Sequence, residues 1–240
     1  MGRAIPVLVG LFVLGIGVAV WLHFQKEPAS APPTASAPPR TSQPVVRPPG
    51  NPAFDSARET LKRLPVKGWD RNTDFARYRF GEAWSDDVNV EFGHNGCNTR
   101  DDILRRDLTD LVVRPGTCYA QSGVLHDPYT GQTIAFTRGP TTSDAVQIDH
   151  LVSLSDAWYK GAREWDDQRR RDFANDPRNL LAVGAQANFN KAFRDATAWL
   201  PTNEAFRCEF IARQIEVKAA YGLWLSANEK RAMGDVLARC

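Results

Sequence analysis

The sequence predicts an α+β domain that is mainly helical and stabilised by disulfides, preceded by an apolar segment and a linker. Three observations indicate this class. Several segments carry apolar residues at helical spacing, short apolar runs lie between them, and all four cysteines follow residue 53. With 42% hydrophobic and 10% aromatic residues among 240, the chain can bury the core of one domain or of two small ones.

Residues 1–26 contain an uncharged apolar stretch over 4–24, which matches the roughly 20 residues that cross a bilayer as a helix. A cleaved secretory signal usually has a shorter apolar core. The two small-residue triplets that resemble cleavage sites are followed by Pro32 and Pro38. We therefore favour an uncleaved, single-pass membrane anchor with the domain outside the cytoplasm. The alternative is a cleaved segment and a secreted protein.

Residues 27–52 are rich in proline, alanine and serine, a composition that cannot pack a core, so they predict a disordered linker. The folded domain is expected over 53–240. The charges that precede it are Arg3, Lys26, Arg40 and Arg47 against Glu27. The domain itself is therefore near neutral, and any binding to nucleic acid must use local clusters of basic residues.

The cysteines are Cys97, Cys118, Cys208 and Cys240, and no close C-x-x-C pair suggests a zinc knuckle. After an export segment, an even number of cysteines indicates disulfides formed in an oxidising compartment. Three pairings are possible. We favour Cys97 with Cys118 and Cys208 with Cys240, because each bond would close one local segment.

The first half of the domain is predicted to hold two helices and a hairpin. Apolar spacing indicates helices over 53–64 and 98–113, the second capped near Asn98 or Thr99. Residues 122–136 are typical of a β-hairpin, because the turn-forming segment DPYTG is followed by an alternating apolar pattern.

The second half begins with a predicted strand over 145–154, followed by two short helical pieces separated near Gly161. A second short strand is predicted over 179–183, and a helix over 184–200 that Pro201 ends. The last forty residues carry apolar residues at helical spacing and predict further helix.

Polar residues interrupt these apolar segments at informative places. Asp149 and His150 lie in QIDHLVSL, Asn179 opens NLLAV, and Asn188 and Lys191 lie one turn apart on one helix face. The segments IDHLVSL and NLLAVGAQANFNK resemble the ββα-metal motif of HNH endonucleases, with asparagine in place of the last histidine. With GCNTRDDILRRDL, LHDPYTGQTIAF and FANDPRNLLAV, roughly residues 66–240 are similar to secreted HNH-nuclease-like proteins of bacteria.

This resemblance implies a small ββα-metal motif inside the helical domain and a metal-dependent hydrolysis of phosphodiesters. His150 would be the general base, because an imidazole titrates in the right range. Asn179 would orient the imidazole through a hydrogen bond or through the nearby backbone. Asp149 and Asn188 would offer oxygen ligands to a hard divalent cation, Mg²⁺ or Mn²⁺.

Other residues have weaker claims. Lys191 is predicted to contact substrate phosphates. Arg100, Arg105 and Arg106 are either further contacts to the nucleic-acid backbone or a solvated helix face. Asn188 taken alone could be a helix N-cap, and Asn190 is a rival metal ligand.

Two departures from the commoner HNH pattern are visible. The paired cysteines that bind a structural zinc are absent, since Gly184 and Ala187 stand in their places. The disulfides could supply the lost cross-linking. The final ligand is an amide, a weaker donor than imidazole, so metal affinity should be modest and magnesium-like.

We therefore predict an endonuclease that acts outside the cytoplasm, with DNA as the favoured substrate and little sequence preference. Nothing in the sequence resembles a recognition helix or a finger array. The competing hypothesis is a non-catalytic envelope protein that binds nucleic acid, for example in DNA uptake. A thiol hydrolase built on Cys97 and His94 is a third class, which disulfide pairing would remove. No protein partner is predicted.

Overall fold

The amphipathic helices and short strands of the sequence form an α+β domain, seen in a computed structural model that describes residues 51–70 and 75–240. The helices in these ranges are α1 Asp55–Arg63, α2 Thr99–Asp107, α3 Leu154–Tyr159, α4 Asp167–Asn175, α5 Ala185–Lys191, α6 Arg207–Tyr221 and α7 Ala227–Leu237. The strands are β1 Leu108–Val113, β2 Ala120–His126, β3 Thr133–Thr137, β4 Val146–His150 and β5 Leu180–Gly184. The described residues all fall within one compact unit, Arg47–Cys240.

The first sheet is an antiparallel meander in the order β1-β2-β3. Its β2–β3 hairpin confirms the hairpin predicted over 122–136. The helix predicted over 98–113 is wrong in its second half, because α2 ends at Asp107 and β1 begins at Leu108. The residues beyond that point include the β-branched Thr109, Val112 and Val113, which favour a strand and pair with β2.

The second sheet is the antiparallel pair β4–β5, in which Asp149 lies opposite Leu181 and His150 opposite Leu180. Strand β5 is buried along its whole length. Gly184 is both the last residue of β5 and the N-cap of α5, and α5 packs against both strands. These three elements form the ββα unit that the resemblance implied.

Helix α5 is shorter than predicted. The helix expected over 184–200 ends at Lys191, and Ala192 adopts a positive φ of 49°. The Asp195 carboxylate then accepts hydrogen bonds from the backbone N–H and the hydroxyl of Thr197. An aspartate that binds nearby backbone in this way competes with helix formation, which accounts for the early end.

Three apolar clusters form the core of the described residues. One joins α1, α6 and α7, and it includes Tyr129 from the hairpin turn. A second surrounds α3 and α4, and the third packs α2 against both sheets. The ββα unit contributes to the first and third clusters through the two faces of β5, so the core fixes its position.

A buried ion network ties α3, α6 and α7 together. The Lys160 ammonium lies 2.5 Å from Asp156, 3.0 Å from Asp195 and 2.6 Å from Glu229. Lys218 lies 2.7 Å from Asp156 and 2.8 Å from Glu229. The three carboxylates are close enough to hold a metal ion. Two ammonium groups already neutralise them, so we assign the network to stability.

Both disulfides join the cysteines that the sequence favoured, Cys97 with Cys118 and Cys208 with Cys240. The described residues contain no free cysteine, which removes the nucleophile of the thiol-hydrolase hypothesis. The predicted anchor over 1–26 and nearly all of the linker over 27–52 lie outside the described residues. Among the residues that are described, no helix is long and apolar enough to cross a membrane.

The disulfide at the C-terminus should contribute strongly to stability. Cys208 and Cys240 are 32 positions apart, and the bond between them restricts the conformations of the unfolded chain. Replacing both by serine removes this restriction. We expect the free energy of unfolding to fall by about 3–4 kcal/mol, measured by urea denaturation. In this variant, dithiothreitol can reduce only the remaining disulfide, Cys97–Cys118. An unchanged urea midpoint would contradict the expectation.

Candidate active site

The end of β4 places two polar side chains in a nearly buried position beside a cavity. Asp149 and His150 are only 5% and 7% exposed, yet both line a cavity of about 910 Å³. Asn188 of α5 and Gln147 of β4 line the same cavity. Three of the residues predicted from the sequence, Asp149, His150 and Asn188, are therefore brought together.

His150 is held as a neutral imidazole with a defined orientation. Its Nε2 lies 2.8 Å from the Ala174 carbonyl oxygen, which can only accept, so Nε2 carries the proton. The Trp84 ring stacks on the imidazole at 5.9 Å between centroids and 13° between planes. Burial lowers the pKa of His150 to about 3, and the positive charges of Arg77 and Lys191 act in the same direction. Nδ1 is thus the unprotonated nitrogen at neutral pH.

Asp149 is the nearly buried carboxylate of the site, and both of its oxygens have partners. Its Oδ2 accepts a 2.5 Å hydrogen bond from the Tyr129 hydroxyl and lies 2.9 Å from the Lys191 ammonium. Its Oδ1 lies 3.1 Å from the same ammonium. Burial raises the pKa of Asp149, while Lys191 and the Tyr129 hydrogen bond oppose that shift. Burial also raises the pKa of Tyr129, so its hydroxyl stays a donor.

Lys191 occupies a different environment from the predicted one. It was expected to contact substrate phosphates, but its side chain is completely buried. Its ammonium bonds the Asp149 carboxylate and, at 2.8 Å, the His150 carbonyl oxygen. It does not line the cavity, because its ammonium is directed to these two buried acceptors at the end of β4. The structure therefore corrects the phosphate contact to an ion pair within the site.

Asn179 acts on the backbone rather than on the imidazole. Its Oδ1 accepts from the Val152 N–H at 2.8 Å, and its Nδ2 donates to the Val152 carbonyl at 3.2 Å. Its own carbonyl accepts from the Leu151 N–H. The contacts of Asn179 are therefore with the backbone of the two residues that directly follow His150.

Asn188 keeps an oxygen available in the cavity. Its Nδ2 donates to Gln147 Oε1 at 2.7 Å, which turns the amide so that its nitrogen is the engaged atom. The N-cap of α5 is Gly184, so Asn188 is not a cap. Asn190, the rival ligand, is exposed, accepts from Gln186 at 3.0 Å and does not line the cavity.

The predicted arginines separate into two groups. Arg100 lines the cavity, where it donates to the carbonyls of Ser143 and Val146 at 3.3 and 2.9 Å. Arg105 lies 3.7 Å from Asp102. Arg106 donates to the carbonyls of Pro177 and Leu180, at the start of β5. Neither of these two lines the cavity, so Arg100 is the one of the three predicted arginines that does. Arg77, which the sequence analysis did not single out, lines the cavity beside it.

The donors around the cavity suit a hard divalent cation. Asp149 offers a carboxylate, Asn188 an amide oxygen, and no thiol or second imidazole competes among the described residues lining the cavity. The Asp149 carboxylate is already paired with Lys191, and such a shared carboxylate binds a cation weakly. The set therefore fits Mg²⁺ or Mn²⁺ better than zinc.

Besides Arg77, sequence reasoning missed four groups at this site: the Tyr129 hydroxyl, the Trp84 ring, the Ala174 carbonyl and the Gln147 amide. Tyr129 belongs to the predicted DPYTG turn, and Gln147 lies two residues before Asp149 on β4. Trp84 adopts a positive φ of 60°, which is uncommon for a bulky residue and often marks a functional site.

The structure thus contains a ββα unit with a neutral histidine, a carboxylate and an amide at one cavity, the arrangement that the resemblance to the HNH-like nuclease class implied. Comparison with known proteins agrees with this class. The family model of GmrSD restriction endonucleases, C-terminal domain, matches residues 98–236. The chain belongs to this family.

A relative in Arthroderma benhamiae, described as an uncharacterized secreted protein, is 34% identical over 202 residues. The match covers 83% of this chain and 92% of the relative. No solved structure matches.

The pair Asp149–Lys191 should be essential for stability. Lys191→Met leaves a buried carboxylate without its cation, and we expect the free energy of unfolding to fall by about 3–5 kcal/mol. Asp149→Asn combined with Lys191→Met should lose much less than the sum of the single changes. Lys62→Met, on a side chain that is 70% exposed, is the control. Urea denaturation measures all four, and a loss no larger than that of the control would contradict the assignment.

Proposed function

We propose that this chain is a metal-dependent endonuclease that hydrolyses the phosphodiester bonds of nucleic acid outside the cytoplasm, with the nuclease domain over 53–240. One observation carries the proposal: His150, a neutral imidazole whose Nε2 is engaged and whose Nδ1 is unprotonated, lines the same cavity as the Asp149 carboxylate and the Asn188 amide. Membership of a restriction-endonuclease family supports a nuclease.

His150 would accept the proton of the attacking water at Nδ1. A general base needs a lone pair at working pH and a fixed direction. Burial keeps the ring neutral by lowering the His150 pKa, and the hydrogen bond from Nε2 to the Ala174 carbonyl fixes the tautomer and the ring orientation. Trp84 covers one face of the ring and prevents it from tilting. Asn179 fixes Leu151 and Val152, so the backbone that carries His150 cannot shift away from the cavity.

Asp149 and Asn188 would hold Mg²⁺ or Mn²⁺, which supplies positive charge to the scissile phosphate and the leaving oxygen. Lys191 holds the Asp149 carboxylate and the His150 carbonyl together, so it keeps the base and the ligand in register. Arg100 and Arg77 line the cavity and would meet substrate phosphates.

DNA is the proposed substrate. Little sequence preference is expected, because the described residues include no base-reading module next to the cavity. The two disulfides and the relative described as secreted support a place outside the cytoplasm. The apolar segment over 1–26 is proposed to direct this export, either as an anchor or as a cleaved signal.

A second function has one observation in its favour. Both oxygens of Asp149 already have partners in Tyr129 and Lys191, which weakens the carboxylate as a metal ligand. A non-catalytic protein that binds nucleic acid with the same cavity would have this arrangement without needing a cation.

Plasmid nicking by the full-length chain tests the proposal. We expect cleavage with Mg²⁺ or Mn²⁺ and none with EDTA, on DNA and in a parallel assay on RNA. His150→Ala should lower the rate by about 10²- to 10⁴-fold, since it removes the base. Asn188→Ala should abolish cleavage at low metal concentration. Asn190→Ala, the same change two positions along the helix, is the matched control and should retain the wild-type rate.

No cleavage of DNA, single-stranded or plasmid, and none of RNA by the wild type with either metal would overturn the proposal, as would full activity of His150→Ala. Nucleic-acid binding that survives EDTA and Asn188→Ala, with no cleavage of either substrate, would support the non-catalytic function instead. Far-ultraviolet circular dichroism of each variant separates a lost function from a lost fold.

A further inference from the structure

Two phenylalanines stand out because they are exposed beside the candidate site. Phe189 is 78% and Phe193 65% exposed, and both line the cavity that contains Asp149 and His150. The large exposed hydrophobic side chains of the described residues include no other phenylalanine. We call this pair the aromatic rim. Exposed apolar rings beside a cavity that also holds charged side chains are typical of a binding surface.

The backbone holds the aromatic rim in place. Phe189 directly follows Asn188 on α5, whose amide bonds Gln147 of β4. Ala192 turns the chain with a φ of 49°, and the Phe193 carbonyl accepts a hydrogen bond from Ser153 Oγ at 3.4 Å. Core packing does not require either ring, because neither residue belongs to any of the three apolar clusters.

Charge in the same cavity indicates what the aromatic rim contacts. Arg100 and Arg77 line the cavity, and the Arg100 guanidinium is fixed by two backbone carbonyls. Fixed guanidinium groups bind phosphate, and exposed rings stack on flat aromatic bases. A cavity with both offers separate contacts for the backbone and for the bases of one strand. The acidic side chains that line it are Asp149, which Lys191 neutralises, and Asp144.

The depth of the site selects an unpaired strand. Asp149 and His150 are nearly buried, so a scissile phosphate must enter the cavity that the aromatic rim lines. In a duplex the base faces are stacked on one another and cannot stack on protein rings. A single strand can splay its bases onto phenylalanine while its backbone bends inward.

We infer that the aromatic rim binds the unpaired bases of single-stranded nucleic acid and directs the adjacent phosphate to His150. The inference rests on the proposed function for its substrate class. It narrows that class to single strands and unpaired segments of DNA or RNA. Stacking on phenylalanine tolerates every base, so little sequence preference is expected at this surface.

Binding of oligonucleotides to the full-length His150→Ala chain tests the inference in EDTA, by fluorescence anisotropy. The probes are a single strand of about 12 nucleotides, the same strand with abasic positions, and its duplex. We expect the intact strand to bind more tightly than the other two. Phe189→Ala and Phe193→Ala should each weaken binding of the intact strand by roughly tenfold.

The abasic strand provides the decisive comparison, because it keeps the phosphates and lacks the bases. Its affinity should not change with either phenylalanine replaced. Tyr119→Ala removes an exposed ring that does not line the cavity, and it should leave all affinities within about twofold of the parent.

Three results with the oligonucleotides would overturn the inference: unchanged affinity in the phenylalanine variants, equal loss of affinity for intact and abasic strands, or duplex binding as tight as that of the single strand. Binding to phosphatidylglycerol vesicles is measured in parallel. A loss of affinity that is confined to the vesicles would also overturn it. The last result would identify the rim as a lipid contact. The cleavage assay is separate. Wild type that cuts single strands and duplex equally, with no effect of the rim, retains the proposed function and removes this inference. A wild type that cuts no substrate but binds unpaired bases through the rim removes the proposed nuclease function and retains the aromatic rim as a binding surface.

Discussion

The buried charge of Asp149 is the constraint on which the site depends. A carboxylate at this depth is costly unless a cation and hydrogen-bond donors accompany it, and the chain provides Lys191 and Tyr129. The partners come from different elements. Lys191 ends α5, and Tyr129 belongs to the β2–β3 turn. One carboxylate therefore locks the ββα unit to the three-stranded sheet.

Lys191 has a second consequence for geometry. Its ammonium also bonds the carbonyl of His150, so the last turn of α5 is fastened to the end of β4 by two contacts. Asn188, one turn earlier on the same helix, is then held opposite Gln147. The positions of the His150 imidazole and of the Asn188 amide thus follow from the ion pair between Asp149 and Lys191.

The ββα unit could be predicted from the sequence because its signals are local. The two apolar strands, the polar residues at their ends and the helical step from Asn188 to Lys191 all lie within 42 positions of Asp149. The disulfides were predictable for the same reason. Roles that depend on distant partners could not be predicted. Trp84 and Ala174 reach His150 from separate parts of the chain, and no local pattern couples them.

Two errors show where local patterns fail. Leu108 and Leu111 fit a helical stripe, yet pairing with β2 overrides that spacing and makes a strand. Lys191 is a long cationic side chain on a predicted helix, and the sequence cannot show whether such a side chain reaches solvent or a buried carboxylate. The outcome depends on the depth of Asp149, which is a property of the assembled fold.

The account requires that His150 presents an unprotonated Nδ1 to the cavity at neutral pH. Nitrogen chemical shifts of ¹⁵N-labelled imidazoles report the tautomer directly, and comparison with His150→Gln identifies the signal of this residue. We predict a neutral ring at pH 7 with the proton on Nε2, recorded in EDTA. A doubly protonated ring, or a proton on Nδ1, would contradict the account.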